Sequence, residues 1–219
     1  MIVDIDTAAK VAEFLLQVKA IKLSPKKPFT WASGWKSPIY CDNRITLSYP
    51  KVRTFIRQEF EKVITKEFGK PDYIAGVATG AIAQGALVAE AMGLPFVYVR
   101  ASAKEHGMGN LIEGRIEEGA SVVVIEDLIS TGGSSLKAVA ALREAGCVVK
   151  GMAAIFTYGF DASVESFKKD DCKLITLSDY DSLINLALEK GFISEKELKT
   201  LGDWRLSPST WGVKEAKAQ

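Results

Sequence analysis

One stretch constrains the fold of this chain more than any other, because it joins a buried strand to two acids and a turn of small residues. Val122–Ile125 is a run of four β-branched residues, Glu126 and Asp127 follow it, and a turn rich in glycine and hydroxyl side chains comes next. Unbroken β-branched runs are typical of central parallel strands. The apolar spacing at 136–142 favours a helix after the turn. The stretch therefore predicts a strand–turn–helix unit of an α/β fold.

The turn between that strand and helix is suited to bind a phosphate. Its free N–H groups and the positive end of the helix attract an anion, and glycine lets the backbone close around it. Two carboxylates at the end of the strand can accept hydrogen bonds from the hydroxyls of a sugar. Together these features predict a site for a ribose phosphate, and the alternative is a plain strand followed by a helix that Ser or Thr caps.

Composition and charge bear on the class of protein. The 28 basic and 27 acidic residues give a net charge of +1, which argues against a generic nucleic-acid binder. No apolar run reaches the length of a membrane span and the N-terminus lacks a signal-peptide pattern, so we expect a cytoplasmic protein without membrane contact. Cys41, Cys147 and Cys172 lie far apart without metal-binding spacing, which favours free thiols.

Strand and helix patterns alternate from residue 70 onward, as in a parallel sheet with right-handed crossovers. We expect one domain, 1–219, in which about 70–192 form the core. The segment of about 1–69 and the tail after residue 194 are expected to form a small cap over the sheet. Predicted strands lie at 73–77, 96–99, 122–125, about 148–156 and 174–177, and predicted helices at about 7–20, 51–68, 82–92, 136–142, 163–168 and 180–190.

Three further segments carry candidate chemistry, each with a plainer alternative. Gly76–Ala81 is a strand end whose small residues allow backbone N–H groups to approach a pyrophosphate, or simply allow close packing. Arg100–Asn110 is a long polar connection that favours a lid or binding loop, expected to be mobile without ligand and ordered with it. It holds the chain's single histidine, His106, which is incidental on the alternative reading. Phe29–Asp42 combines aromatic residues with a Ser-Gly turn and is either a platform for a planar base or a cap hairpin.

Three phrases of the sequence together resemble the orotate branch of the type I phosphoribosyltransferase family. Phe29–Pro38 matches Phe-Thr-x-x-Ser-Gly-x-Lys-Ser-Pro, Arg100–Gly107 matches the lid phrase Arg-x-x-x-Lys-x-His-Gly, and Val122–Ser135 matches the ribose-phosphate phrase. The resemblance covers nearly the whole chain. It implies the type I phosphoribosyltransferase fold, an α/β fold with a central, mostly parallel sheet flanked by helices and a small N-terminal cap, or hood.

The same resemblance implies an enzyme of pyrimidine biosynthesis. Such an enzyme transfers the ribose phosphate of phosphoribosyl pyrophosphate to orotate, giving orotidine 5′-phosphate and pyrophosphate. The alternatives are a purine-type phosphoribosyltransferase, which has no reason to contain the phrase at Phe29–Pro38, and a regulator that only senses phosphoribosyl pyrophosphate. The resemblance also implies a magnesium ion held mainly by substrate and water, without a dedicated protein metal site, and a homodimer with shared active sites.

Residue roles follow from the resemblance position by position. Arg100, Lys104 and His106 are implied on the pyrophosphate side, and Glu126 and Asp127 on the ribose hydroxyls. Lys104, Glu126 and Asp127 are the implied catalytic residues. The implied phosphoribosyl pyrophosphate site comprises Thr79, Arg100, Lys104, His106, Glu126, Asp127, Leu128, Ile129, Ser130, Thr131, Gly132, Gly133 and Ser134.

The orotate side matches the family less closely. Ser130 is implied near orotate, but some relatives carry a lysine in place of Ala32 and an arginine where Tyr158 falls in this chain. The carboxylate of orotate therefore needs another partner. Backbone amides of the cap loop and the side chain of Lys36 are the two alternatives.

Overall fold

The computed structural model describes residues 2–102 and 111–212, and an N-terminal section of helices and short strands opens the chain. This section consists of α1 (Ile5–Gln17), β1 (Ile21–Leu23), β2 (Phe29–Thr30), β3 (Lys36–Ser37), β4 (Ile39–Cys41), a 3-10 turn at Asn43–Ser48, and α2 (Pro50–Phe68). The short strands form two antiparallel ribbons, β1 with β4 and β2 with β3.

Strands and helices then alternate through the rest of the chain. They are β5 (Tyr73–Val77), α3 (Ile82–Met92), β6 (Phe96–Val99), β7 (Ile112–Glu113), β8 (Ser121–Ile129), α4 (Gly133–Glu144), β9 (Val148–Thr157), α5 (Asp161–Lys169), β10 (Leu174–Asp179), α6 (Tyr180–Glu189) and α7 (Glu195–Leu206). Five of the six sheet strands match predicted strands, and the added one is β7.

A six-stranded sheet in the order β10-β9-β8-β5-β6-β7 forms the centre. Every neighbouring pair is parallel except β6 with β7, so the prediction of a mostly parallel sheet is confirmed. From β5 the chain moves outward to β6 on one side, and it later returns to β8 on the other. This reversal leaves a crevice at the carboxyl ends of β5 and β8, where open α/β sheets bind their ligands.

Helices cover both faces of the sheet. Side chains of β8 point alternately to these two faces, so neighbouring residues of the strand pack against different helices. Val123 and Ile125 pack with α1, α2, α3 and α6, whereas Val122 and Val124 pack with α4 and α5. The helices of the first 69 residues thus belong to one of the two layers that cover the sheet. Helix α7 packs on α6, and its Trp204 donates a hydrogen bond to the carbonyl of Lys36 at 3.2 Å.

Several local features differ from the predictions for physical reasons. Helix α1 begins at Ile5 rather than near residue 7, because the carboxylate of Asp4 caps it by accepting a hydrogen bond from the Thr7 N–H at 2.7 Å. Helix α7 was not predicted, although Ser194 and Glu197 form its capping box. The three cysteines are free thiols, as predicted. Within the described ranges, no helix combines the length and the apolar character that crossing a bilayer requires.

Candidate functional site

The two acids of the first motif lie inside β8, because this strand runs four residues beyond its predicted end. Its parallel pairing with β9 continues as far as Ile129 opposite Thr157. The Glu126 side chain is 4% exposed and accepts two hydrogen bonds, from the Ser135 hydroxyl at 2.8 Å and from the Asp127 N–H at 2.9 Å. These contacts fix the orientation of the Glu126 carboxyl group at the edge of the crevice.

A cavity of about 360 Å³ opens over the carboxyl ends of β5 and β8, and we call it the β8 cavity. One wall is the segment after β4, another is the turn after β5, and the acids of β8 lie between them. The cavity therefore coincides with the ligand position that the order of the strands indicates. Its lining residues are Cys41, Asp42, Arg44, Val77, Ala78, Thr79, Gly80, Glu126, Asp127, Leu128 and Ser134.

Burial shifts the acid–base chemistry of the two carboxyl groups. Loss of hydration, followed by the charge of Asp127, raises the pKa of Glu126 to about 8. Burial also raises the pKa of Asp127, while its contact with Glu126 and the positive charge of Arg44 act in the opposite direction. One proton is therefore favoured on this pair near neutral pH.

The turn after β5 approaches Asp127 so closely that a residue larger than glycine at position 80 would displace the Asp127 side chain. A Cβ atom at Gly80 would overlap the carboxylate of Asp127. The preceding Ala78–Thr79 peptide bond is cis, and Thr79 is exposed in the β8 cavity. The structure thus brings Thr79 next to the acids of β8, the neighbourhood that the sequence implied.

Residues 130–134, which we call the phosphate turn, run into α4 without a side-chain cap. Gly132 is the N-cap residue, with φ of 84°, and no side chain caps this helix. The alternative of a Ser- or Thr-capped helix is therefore wrong. Gly133 and Ser134, the first two residues of α4, are exposed, and the first N–H groups of a helix have no partner within it, as an anion site requires.

The predicted site residues near the turn differ in their accessibility. Ile129 is fully buried in the core and its carbonyl accepts a hydrogen bond from the Tyr158 N–H, so neither group is free for a ligand. Leu128 and Ser134 line the β8 cavity, whereas Thr131 lines a second cavity. Ser130 is half-buried at the start of the turn.

The other candidates lie farther out. Arg100 follows β6. Its backbone N–H donates to the Leu111 carbonyl at 2.9 Å, and its guanidinium pairs with the Glu113 carboxylate at 3.4 Å. Lys36 donates to the Thr30 hydroxyl at 2.7 Å and is not among the residues that line the β8 cavity. Lys104 and His106 fall outside the described residues, so their placement stays a prediction.

Sequence reasoning missed one wall of the site, the segment Asp42–Arg44. Asn43 is 2% exposed, and its side-chain amide donates to the carbonyl of Asp127 at 2.5 Å. The Asp42 carboxylate holds the Arg44 guanidinium in a fork, with contacts of 2.7 and 2.9 Å. Three consecutive polar residues directly after a short strand are a signal that could have marked this segment.

The second cavity is larger, about 690 Å³, and lies among α5, α6 and α7; we call it the helical cavity. Aromatic residues and charged residues both line it, and Arg205 pairs there with Asp181. It also reaches Thr131 of the phosphate turn. Among its lining residues are Trp35, Thr131, Phe160, Tyr180, Asp181, Lys199, Asp203, Arg205 and Leu206.

Metal-binding side chains are sparse in the described part of the chain. Across residues 2–102 and 111–212, no group of three or more His, Cys, Asp or Glu residues could hold a metal ion. The carboxylates of Glu126 and Asp127 are nevertheless hard oxygen donors beside a cavity. One or two such groups suit Mg²⁺ when a phosphorylated substrate supplies the remaining ligands.

The family model, the similar sequences and the similar structures indicate the same protein family. The family model of the phosphoribosyl transferase domain matches residues 43–186. The chain is 59% identical to an orotate phosphoribosyltransferase of Porphyromonas gingivalis, over 93% of this chain and 97% of the relative. It is 55% identical to the Listeria innocua orotate phosphoribosyltransferase, with the same coverage of 93% and 97%. The crystal structure of orotate phosphoribosyltransferase from Aeropyrum pernix superimposes with a TM-score of 0.71 at 25% identity, covering 84% of this chain and 99% of that one.

Proposed function

The chain belongs to the orotate phosphoribosyltransferase family and has the type I phosphoribosyltransferase fold, and we propose that it transfers ribose 5-phosphate from phosphoribosyl pyrophosphate to orotate. The observation that carries the proposal is the acid pair Glu126–Asp127, which lines one cavity together with Ser134 at the exposed, side-chain-uncapped start of α4. The products are orotidine 5′-phosphate and pyrophosphate, so the enzyme serves pyrimidine biosynthesis.

The phosphate turn and the acids hold the sugar at its two ends. The 5′-phosphate lies at the start of α4, where backbone N–H groups and the hydroxyls of the turn donate hydrogen bonds. The Asp127 and Glu126 carboxyl groups accept hydrogen bonds from the ribose hydroxyls. Because Ser135 and the Asp127 N–H already orient Glu126, little reorganisation is needed when the sugar arrives.

The transfer itself exchanges one bond at the anomeric carbon for another. N1 of orotate, whose N–H is already acidic in the free substrate, gives up its proton to solvent and donates an electron pair to this carbon while the bond to the pyrophosphate oxygen breaks. Positive charge develops on the ring in an oxocarbenium-like state, and the nearby carboxylates stabilise it. No strong protein base is needed for the nucleophile.

Pyrophosphate leaves toward the turn after β5. Thr79 lines this side of the β8 cavity, and Arg100 follows the neighbouring strand. We assign Lys104 and His106 of the adjoining loop to the same leaving group, as the family pattern implies. Cationic groups here neutralise the departing charge, and closure of the loop excludes water that would hydrolyse the donor.

Magnesium is the proposed cofactor. The ion would be held mainly by substrate oxygens and water, with Asp127 and Glu126 as the nearest suitable protein groups. When bound, it neutralises charge on the pyrophosphate. A proton held by this acid pair must be displaced if both carboxylates are to take part.

We also propose a cytoplasmic homodimer in which the basic loop serves the partner's site. Mixing Lys104→Ala subunits with Asp127→Asn subunits tests this arrangement, since each parent is expected to be nearly inactive. Half of the dimers should be hybrids with one intact site, so activity should recover to roughly a quarter of wild type. No recovery, with subunit exchange confirmed by mass, would assign the loop to its own subunit.

An acceptor assay tests the proposed reaction. Pyrophosphate release is measured with phosphoribosyl pyrophosphate, Mg²⁺ and one acceptor at a time: orotate, uracil, adenine or hypoxanthine. We expect release with orotate and far less with the others. Preference for a purine would identify a purine-type enzyme, and binding without release for any acceptor would identify a sensor.

A further inference from the structure

Among the described residues that line the β8 cavity, acids outnumber bases. Asp42, Glu126 and Asp127 contribute carboxyl groups, and Arg44 contributes the cation. On the proposed function, the acceptor that enters this cavity carries a carboxylate of its own. Desolvating that carboxylate beside three acids costs free energy unless a cation pairs with it.

Arg44 is both accessible and preformed for this purpose. Its side chain is 58% exposed, and its guanidinium already holds one carboxylate, that of Asp42, in a two-point fork. The planar fork matches any carboxylate in the same way. An incoming carboxylate can therefore replace or share the contact that Asp42 makes with Arg44.

The other side chains considered for this role do not line the β8 cavity. The Lys36 ammonium group donates to Thr30 and lies outside the lining of the β8 cavity. Tyr158, which stands where some relatives carry an arginine, is 2% exposed among aromatic rings. A neutral phenol in that position cannot balance the charge of a carboxylate.

The position of Arg44 separates it from the leaving group. Arg44 belongs to the wall that follows β4, and the proposed pyrophosphate contacts belong to the turn after β5. In-line displacement needs the nucleophile and the leaving group on opposite sides of the anomeric carbon. If pyrophosphate takes the wall of Thr79 and Gly80, the wall of Arg44 remains for the acceptor.

We propose that Arg44 binds the carboxylate of the acceptor base and thereby selects orotate over bases that lack this group. The proposal rests on the proposed function. The Asp42 carboxylate occupies the fork, which holds the guanidinium in place at the lining of the cavity. Arg44 is thus a specificity-determining residue on a wall that also anchors Asp127 through Asn43.

Steady-state kinetics of Arg44→Gln test the proposal. We expect KM for orotate to rise about tenfold or more, as loss of a charge-assisted contact predicts, while KM for phosphoribosyl pyrophosphate stays within about twofold. The preference for orotate over uracil, as a ratio of kcat/KM values, should fall by a similar factor. Arg44→Lys keeps the charge without the fork and should lie between wild type and Arg44→Gln.

Arg57→Gln is the matched control, because Arg57 pairs with Glu61 on α2 rather than lining the cavity. A rise in KM for phosphoribosyl pyrophosphate alone would overturn the proposal and assign Arg44 to the leaving group. An unchanged ratio of orotate to uracil would overturn it as well. If wild type itself fails to use orotate, the proposed function is wrong, and that outcome is visible before any variant is made. If Arg44→Gln does not fold, the ratio measured for Arg44→Lys decides.

Discussion

The β8 cavity and the helical cavity differ in size and in chemistry, and the smaller of these two is the candidate site. The helical cavity, at about 690 Å³, is nearly twice the volume of the β8 cavity, at about 360 Å³. It arises where three helices and the phosphate turn leave a gap in their packing. The β8 cavity arises where the strand order reverses, and burial raises the pKa values of two of its acids, Glu126 and Asp127. Perturbed carboxyl groups at strand ends thus mark the chemistry better than volume does.

The two cavities also share a border. Thr131 lines the helical cavity and Ser134 lines the β8 cavity, so one turn separates them. Variants of residues in each cavity therefore test whether the β8 cavity alone takes part in the reaction.

Asp127→Asn should have the largest effect. Removing the charge that faces the ribose and the developing oxocarbenium ion should lower kcat/KM by about a hundredfold or more, while the protein still folds. Asp203→Asn, which changes an acid of the helical cavity, is the matched control and should retain nearly full activity. A kcat/KM for Asp127→Asn close to that of wild type would contradict the assignment of the β8 cavity as the active site.

The pH dependence of the stability of Glu126→Gln tests the raised pKa of an acid in the β8 cavity. An unfolded glutamate ionises near its usual pKa, which is 4.5, whereas in the folded protein the pKa is about 8. Wild type therefore loses stability as pH rises through this interval, and the neutral amide does not. We expect the Tm of Glu126→Gln minus that of wild type to increase from pH 5 to pH 8.5, by about 2–4 °C for each kcal/mol involved. A difference that stays constant with pH would show that Glu126 is ionised in the folded protein.

Asn43→Leu tests the anchor between the wall and β8. The Asp127 carbonyl loses its hydrogen bond, which should cost about 1–3 kcal/mol in the free energy of unfolding. Looser placement of Asp127 should also lower kcat by roughly threefold to tenfold. Denaturant unfolding and steady-state kinetics measure the two effects, and exposed Asn185→Leu is the control. Equal unfolding free energies for wild type and Asn43→Leu would show that this contact contributes nothing.

Lys199→Gln should have the smallest effect. Lys199 lines the helical cavity and is exposed, so its loss should leave kcat and both KM values within about twofold of wild type. A clear rise in either KM would mean that substrate extends into the larger cavity, and the contrast between the two cavities would fail.

The parts of the fold that sequence predicted are those with local signals. The β-branched run of β8, the glycines before α4 and the alternation of strands with helices each depend on neighbouring residues. The end of β8 was misplaced because its last residues, Leu128 and Ile129, precede turn residues and their pairing with β9 is visible only in three dimensions. The two-residue strand β7 is too short for any periodic pattern.

The missed part of the site depends on distant pairs. Asn43 and Asp127 are 84 residues apart, and no local pattern links them. Arg44 has a local partner, Asp42, but only the fold brings this pair over β8. Glu126 and Asp127 could be predicted because two acids at the end of a buried strand are informative by themselves. The segment Asp42–Arg44 becomes recognisable as a wall of the site only in the tertiary structure.

The hydrogen bond from Arg100 to Leu111 and the pairing of β6 with β7 have a consequence for how this enzyme can change over evolution. These contacts hold residues 98–100 against residues 111–113 at the edge of the sheet. The two ends of the connection between β6 and β7 are therefore held together by residues outside positions 101–110. The entropy of closing a loop grows slowly, by about 0.6 kcal/mol for each doubling of its length. Insertions and deletions between these anchors should therefore be tolerated by the fold while they alter catalysis. The segment is a place where variation can be selected for function with little penalty in stability.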